Sequence, residues 1–319
     1  MKAVFLDRST FSTEVALPKP DGITDYQVFD STTQNDAFII QRCKDADIII
    51  TNKVVLNRAI LEQLPTLKLI QLTATGMNNV DLSACEQLGI TVKNIAGYAV
   101  KSVPEHTFML MLNAMRASRH YHQTVTNFSH SKKSPWIDSN KFCLMDETIY
   151  DLEGKTLGII GMGTIGKRVA EIANVFGMKV LIAERQGNPP RNADYIDFET
   201  VLEQADVLTL HCPLTDKTQH LINANTISKM SKKPLIVNVA RGGVVDSTAM
   251  AQAVKSGTVF GYASDVFEIE PMTADDPLQQ IANHPRVFFT PHNAWGSLSA
   301  QSKLWDILCK QVIEFIKTT

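Results

Sequence analysis

Residues Lys155-Thr-Leu-Gly-Ile-Ile-Gly-Met-Gly-Thr-Ile-Gly-Lys167 decide the fold. Thr156 to Ile160 is a short, mostly apolar run rich in β-formers, the pattern of a strand buried on both faces of a parallel sheet. Gly161, Gly163 and Gly166 follow with G-x-G-x-x-G spacing. From Thr164 to Phe176 the apolar residues Ile165, Val169, Ile172, Ala173 and Phe176 share one helical face. In a strand–turn–helix of this kind each glycine has a mechanical task. Gly161 permits the tight turn, Gly163 lets backbone N–H groups approach a pyrophosphate, and Gly166 lets helix and strand pack closely. The helix N-terminus directs partial positive charge toward the phosphates. A second strand, Lys179 to Ala183, ends at Glu184. That acid follows the first glycine at close to the roughly 20-residue spacing of a ribose-binding carboxylate. A glycine-rich turn in an ordinary α/β domain and a methyltransferase are the rival readings of this stretch alone.

Outward from the fingerprint, the bulk properties narrow the choice. The 319 residues suffice for two domains. A hydrophobic fraction of 44% and a mean hydropathy of −0.05 are those of a soluble globular protein. The net charge of −2, with both signs mixed, gives no electrostatic reason to expect nucleic acid or an anionic membrane as partner. The pairs Lys132-Lys133 and Lys232-Lys233 read as solvated loop positions. Cys43, Cys85, Cys143, Cys212 and Cys309 are scattered and odd in number. A disulfide framework or a zinc site is therefore not expected, and a reducing, cytoplasmic setting is. Met1 to Asp7 reads as a first strand, not a signal peptide, and no apolar run approaches the ~18 residues of a membrane span.

Strands are expected at Lys2–Asp7, Tyr26–Asp30, Asp47–Thr51, Leu67–Thr73 and Thr91–Ile95. Helices are expected at Asn35–Lys44, Asn57–Leu64 and Val80–Leu88, the last ended by Gly89. Alternation of this kind implies a parallel, doubly wound sheet. A long helix is expected from about Val103 to Phe128, followed by a polar, irregular connection over Ser129–Asp151. The dinucleotide unit then continues with strands near Thr156, Lys179, Asp206, Pro234, Val259 and Arg286. A final helix, Ser299–Ile316, is expected to pack back on the first unit, which would make that unit discontinuous.

Three stretches end the later strands, where open α/β sheets gather ligands. Ile236-Val-Asn-Val-Ala-Arg-Gly-Gly243 places Arg241 just past a strand. Gly261-Tyr-Ala-Ser-Asp-Val-Phe-Glu-Ile-Glu-Pro271 places Asp265 at a strand end and Glu270 in the loop. Val287-Phe-Phe-Thr-Pro-His-Asn-Ala-Trp-Gly296 places His292 past the last strand. Singly, these are an ion-pair arginine, a solvated loop acid and a satisfied loop histidine. Together on one rim they fit carbonyl reduction. The imidazole exchanges a proton with the alkoxide, the carboxylate holds the imidazolium, and the guanidinium grips a substrate carboxylate.

With these stretches in view the chain resembles the D-isomer-specific 2-hydroxyacid dehydrogenases over nearly its whole length. The resemblance rests on Thr73-Ala-Thr-Gly-Met-Asn-Asn-Val-Asp81, Glu105-His-Thr107, the glycine fingerprint, His211-Cys-Pro-Leu-Thr215, Asn238-Val-Ala-Arg-Gly242, Asp265-Val-Phe267 with Glu270-Pro271, and Thr290-Pro-His292. It implies Arg241, Glu270 and His292 as the catalytic set. It implies Thr75, Gly76 and Met77, with Arg241 and His292, as substrate-binding. Cofactor contacts are implied at Thr107, Gly161, Gly163, Thr164, Ile165, Gly166, Glu184, Pro213, Val239, Ala240, Arg241, Asp265, His292 and Trp295. The implied architecture is a Rossmann NAD-binding domain, residues 99–291, inserted in a flavodoxin-like substrate domain, residues 1–98 plus 292–319.

Within the family the resemblance is to the glycerate dehydrogenases, or hydroxypyruvate reductases, through Gly76–Asp81, Ala96-Gly-Tyr-Ala99 and Pro291–Trp295. Asn293 stands where the family more often has an apolar residue. Glu270, not Gln, separates the chain from formate dehydrogenases, and the regulatory domain appended to many phosphoglycerate dehydrogenases is not expected. The implied reaction is reduction of hydroxypyruvate to D-glycerate, with glyoxylate also used. The expected cofactor is NADH in preference to NADPH, although Arg185 stands beside Glu184, and the expected assembly is a homodimer. Trp295 and Tyr98 are expected to shape the substrate's short polar tail. The alternatives are a lactate- or phosphoglycerate-type dehydrogenase and a non-enzymatic, NAD-sensing corepressor.

Overall fold

The computed structural model describes residues 1–128 and 133–319, so Lys132 and residues 129–132 of the expected irregular connection lie outside the described residues. The chain divides into two compact units, Met1–Ala99 with Trp295–Thr319, and Val100–Ala294. In chain order the first part of the smaller unit holds β1 (Lys2–Phe5), β2 (Asp25–Val28), α1 (Asp36–Cys43), β3 (Ile48–Thr51), α2 (Arg58–Leu61), β4 (Leu69–Leu72), α3 (Leu82–Leu88) and β5 (Thr91–Lys93). The larger unit opens with α4 (Ser102–Met115), α5 (Ser118–Thr126) and α6 (Pro135–Ser139). It continues with β6 (Thr156–Ile160), α7 (Thr164–Val175), β7 (Lys179–Ala183), β8 (Tyr195–Ile196), α8 (Phe198–Gln204), β9 (Val207–Leu210) and α9 (Ala224–Ile227). It ends with β10 (Leu235–Asn238), α10 (Ser247–Ser256), β11 (Gly261–Ser264) and β12 (Val287–Phe289). The chain then returns to the smaller unit as α11 (Leu298–Thr318).

The smaller unit is an all-parallel sheet in the order β2-β1-β3-β4-β5, the flavodoxin-like arrangement. Its central strands β3 and β4 are buried residue by residue, as strands covered by helices on both faces must be. Helix starts are set by side-chain caps: Asn35, Asn57 and Asp81 each accept from the N–H three residues on. Gly89, at φ +69°, ends α3 in the left-handed turn that glycine adopts without steric cost. α11 lays Leu304, Trp305, Leu308 and Val312 against Phe5, Ile48, Ile50 and Leu69. The last helix therefore completes the core of the first hundred residues.

The larger unit is a seven-stranded parallel sheet in the order β12-β11-β10-β9-β6-β7-β8. This is a Rossmann order, whose direction reverses between β6 and β9. β8, only two residues long, was not expected from the sequence. The expected helix over 103–128 is two helices, broken at Ala117, whose φ is +47°. The break follows from the chemistry of the next turn. The apolar face ends at Met115, and the carbonyls of Ala114 and Met115 accept from the buried Arg286 guanidinium at 3.1 and 3.3 Å instead of continuing a helical ladder. The irregular connection also contains a short helix, α6, started by Ser134 and Pro135. The boundary near 292 falls at 294/295, because Asn293 and Ala294 are tied by their N–H groups to Asp265 of the larger unit.

Candidate active site

The glycine turn sits at the point where the larger sheet reverses direction, between the carboxyl ends of β6 and β9. A Cβ on Gly161 would lie 2.6 Å from the Cys212 nitrogen and the His211 carbonyl carbon, and one on Gly166 would lie 2.2 Å from the Gly161 carbonyl oxygen. Any side chain there would push helix and strand apart. A Cβ on Gly163 would meet nothing within 4 Å, so its backbone faces open space. Gly163 also begins α7 without a side-chain cap. The first-turn N–H groups around Thr164 and Ile165 are therefore available to an anion. This uncapped turn fits a dinucleotide pyrophosphate.

Glu184, at the end of β7, is only 3% exposed. Its carboxylate accepts from the backbone N–H groups of Arg185 at 2.8 Å and Arg191 at 3.1 Å, and from Arg191 Nε at 2.7 Å and Nη2. The Arg191 guanidinium and then the Arg185 N–H hold its pKa down, to about 2. Among the other cofactor positions implied by resemblance, Pro213 is exposed, Val239 half-buried and Ala240 buried. Thr107 is fully buried on α4 and donates to the Val103 carbonyl at 2.8 Å.

The three residues proposed for catalysis leave neighbouring strands. β10, β11 and β12 pair in parallel, with Asn238 opposite Ser264 and Ser264 opposite Phe289, so their carboxyl ends form one edge. Arg241 follows β10 in extended conformation. Asn238 fixes this turn by accepting from Ala240 N–H and donating to the Arg241 carbonyl, each at 3.0 Å. The Arg241 guanidinium donates to the Ala240 carbonyl at 2.7 Å, one bond for a group with five donors. Gly242 lies directly on the next loop: its Cβ would fall 1.9 Å from the Phe267 carbonyl carbon and oxygen. That loop carries Glu270, whose Oε1 accepts from Phe267 N–H at 3.0 Å. The other carboxylate oxygen, Oε2, meets His292 Nδ1 at 2.6 Å. Both side chains are roughly a quarter exposed.

His292 is held in place from below by Asp265. The Asp265 carboxylate, 1% exposed, accepts from Thr290 Oγ1 at 2.6 Å and from the N–H groups of Asn293 and Ala294 at 2.9 Å. Its own carbonyl accepts from His292 N–H at 2.9 Å. His106 joins this network from α4, its Nε2 2.9 Å from Thr290 Oγ1 and 3.5 Å from Asp265. Burial lowers the His106 pKa, and the nearby Asp265 charge opposes that. This role for His106 is not legible in the sequence, because residues 106 and 290 are linked by no spacing rule. Equally illegible is the pair of His220 Nε2 with Glu268 at 2.9 Å, which ties the loop after β9 to the loop that carries Glu270.

Thr75, Gly76 and Met77 lie in the smaller unit, just past β4. Thr75 donates its hydroxyl to the Ile95 carbonyl at 2.8 Å, and Met77 packs on the unit's core. Trp295 also belongs to that unit, edge-on to Tyr98 at 6.0 Å and to Phe11 at 5.9 Å. Among the described residues no group of three or more His, Cys, Asp or Glu side chains is arranged to hold a metal ion.

The chain is similar to known proteins along most of its length. The family described as D-isomer specific 2-hydroxyacid dehydrogenase, NAD binding domain, matches residues 108–294. Glycerate dehydrogenase of Methylorubrum extorquens is 40% identical over 315 residues, covering 99% of this chain and 96% of that one. Hydroxypyruvate reductase of Blautia hydrogenotrophica is 34% identical, covering 91% and 88%. Among solved structures, D-lactate dehydrogenase from Aquifex aeolicus, complexed with NAD and lactic acid, superposes with a TM-score of 0.77 at 26% identity, covering 99% and 96% of the two chains. A glycine turn at the reversal of a Rossmann sheet, a paired His292 and Glu270 on its rim, and this similarity along almost the full length make the chain a member of the NAD-dependent D-isomer-specific 2-hydroxyacid dehydrogenases.

Proposed function

We propose that the chain reduces hydroxypyruvate to D-glycerate, with glyoxylate as a weaker substrate. The observation that carries the chemistry is the 2.6 Å pair of His292 Nδ1 and Glu270. With Nδ1–H donated to the carboxylate, Nε2 is the nitrogen left to exchange a proton with substrate. When bound, the nicotinamide supplies or accepts the hydride. In the direction of reduction His292 acts as imidazolium and gives its Nε2 proton to the developing alkoxide. In oxidation the neutral ring takes that proton from the alcohol. Glu270 fixes the ring orientation and balances the positive charge. Arg241 holds the substrate carboxylate with donors not used on Ala240, and Thr75, Gly76 and Met77 are assigned to substrate binding. The uncapped first turn of α7 holds the pyrophosphate.

The substrate assignment is supported by relatives named glycerate dehydrogenase and hydroxypyruvate reductase at 40% and 34% identity. A screen of NADH oxidation against small 2-oxo acids tests it. Hydroxypyruvate is expected to give the highest kcat/KM, then glyoxylate, then pyruvate, because a site that pairs with a substrate hydroxyl rejects analogues lacking it. A higher value for pyruvate or a branched 2-oxo acid would overturn the substrate while leaving the family untouched.

The assembly we propose is a homodimer formed through the larger unit. Its support is a set of apolar side chains left uncovered between 125 and 149, with Phe142 91% and Met145 70% exposed. Sedimentation at micromolar concentration is expected to show a dimer, and a monomer would refute the assignment. The five free cysteines support a reducing, cytoplasmic setting.

A further inference from the structure

The carboxylate at the end of β7 is already fully engaged. An ionised carboxyl offers about four lone-pair sites, and Glu184 receives four donors: two backbone N–H groups, Arg185 and Arg191, and two guanidinium N–H groups of Arg191. The arrangement is built into the fold. β8 pairs with β7, Tyr195 opposite Ile182, and Ile196 accepts from the Glu184 N–H at 2.8 Å. This pairing closes the 185–194 loop over the acid. The Tyr195 ring then carries the Arg191 guanidinium at 4.3 Å, a cation–π contact that keeps it in place.

Two consequences bear on the adenosine ribose. The hydroxyls find no unused acceptor on Glu184, so the acid's usual reward for an unphosphorylated ribose is reduced. Its negative charge is also compensated within the pair, so its repulsion of a 2′-phosphate falls. Meanwhile Arg191 remains 45% exposed on its side chain, and the adjacent Arg185 is exposed as well. Both can meet a phosphate dianion.

Resting on the dinucleotide-binding reading above, we propose that Arg191 sets cofactor choice, occupying Glu184 so that NADPH becomes a working second cofactor beside NADH. The proposal concerns this chain's own residues and needs no turnover to test. Calorimetry on the full chain compares adenosine 2′,5′-bisphosphate with 5′-AMP, for the native protein and for Arg191→Ala. The native protein is expected to bind the bisphosphate within about tenfold of 5′-AMP. Arg191→Ala is expected to shift the ratio toward 5′-AMP by about tenfold or more, because the freed Glu184 accepts from the ribose and repels the phosphate.

A native ratio worse than about tenfold, or a smaller shift in the variant, overturns the proposal. If circular dichroism shows that Arg191→Ala does not fold, Glu184→Gln replaces it. Removing the acid's charge releases the guanidinium and should shift the ratio toward the bisphosphate, and an unchanged ratio overturns the proposal. Binding of neither nucleotide would remove the dinucleotide site itself, and the proposal with it. Loss of 2-oxo acid reduction with binding intact would count against the catalytic assignment alone.

Discussion

His292 adopts φ +52°, a left-handed conformation that costs a residue with a Cβ of the order of 1–3 kcal/mol. Asp265 holds it there: its two carboxylate oxygens bind the N–H groups of the two residues that follow, and its carbonyl binds that of His292. That conformation turns the chain past β12 while Nδ1 meets Glu270. Arg241, Glu270 and His292 were legible in the sequence as residue types at strand ends. The clamp by Asp265 and His106 was not, because its partners are separated by 25 to 184 residues, a distance no local pattern spans. Gly242 belongs to the same legible stretch, but the reason for its lack of a side chain is the Phe267 backbone. Gly242→Ala is therefore expected to displace the loop bearing Glu270. Stability should fall by about 1–3 kcal/mol, and turnover by about 10²-fold, the scale of a 1 Å misplacement. Thermal unfolding together with kcat checks this, and native values for both would contradict it.

At the scale of elements, apolar periodicity located the strands and most helices to within a few residues. Asn57 and Gly89 marked ends that the caps explain. Periodicity failed where a long-range partner decides the outcome. Nothing local in Arg116-Ala-Ser-Arg119 announces a break, because the donor to the helix-end carbonyls is Arg286. The same guanidinium binds Glu147 at 2.8 Å and the Thr148 carbonyl at 2.6 Å, so one buried cation joins α4 to the connection before β6. Arg286→Ala would take this donor from the Thr148 carbonyl and the half-buried Glu147 carboxylate, while Ala114 and Met115 would keep the N–H groups of Ala117 and Tyr150. The expected loss is about 2–4 kcal/mol in urea unfolding, and a change below about 0.5 kcal/mol, the ordinary surface range, would show that the contact is incidental. β8 escaped notice for a related reason: two residues are too few for a period, and their register is set by β7.

For the whole molecule, the discontinuous first domain could be read from the alternation of strands and helices together with an apolar final helix. α11 does supply Leu304, Trp305, Leu308 and Val312 to the core of the smaller unit. The Rossmann order of the larger sheet brings the ends of β10, β11 and β12 to one edge, and this order turns three residues distant in sequence into one candidate site. The reaction proposed for this edge depends above all on the acid–base role of His292. The direct measurement is hydroxypyruvate turnover by His292→Gln beside its NADH affinity from protein fluorescence. The expected result is a fall in kcat of about 10²–10⁴-fold, the usual contribution of a general acid, with NADH affinity within about threefold of the native value, a difference below 1 kcal/mol. A variant that keeps near-native kcat would contradict it.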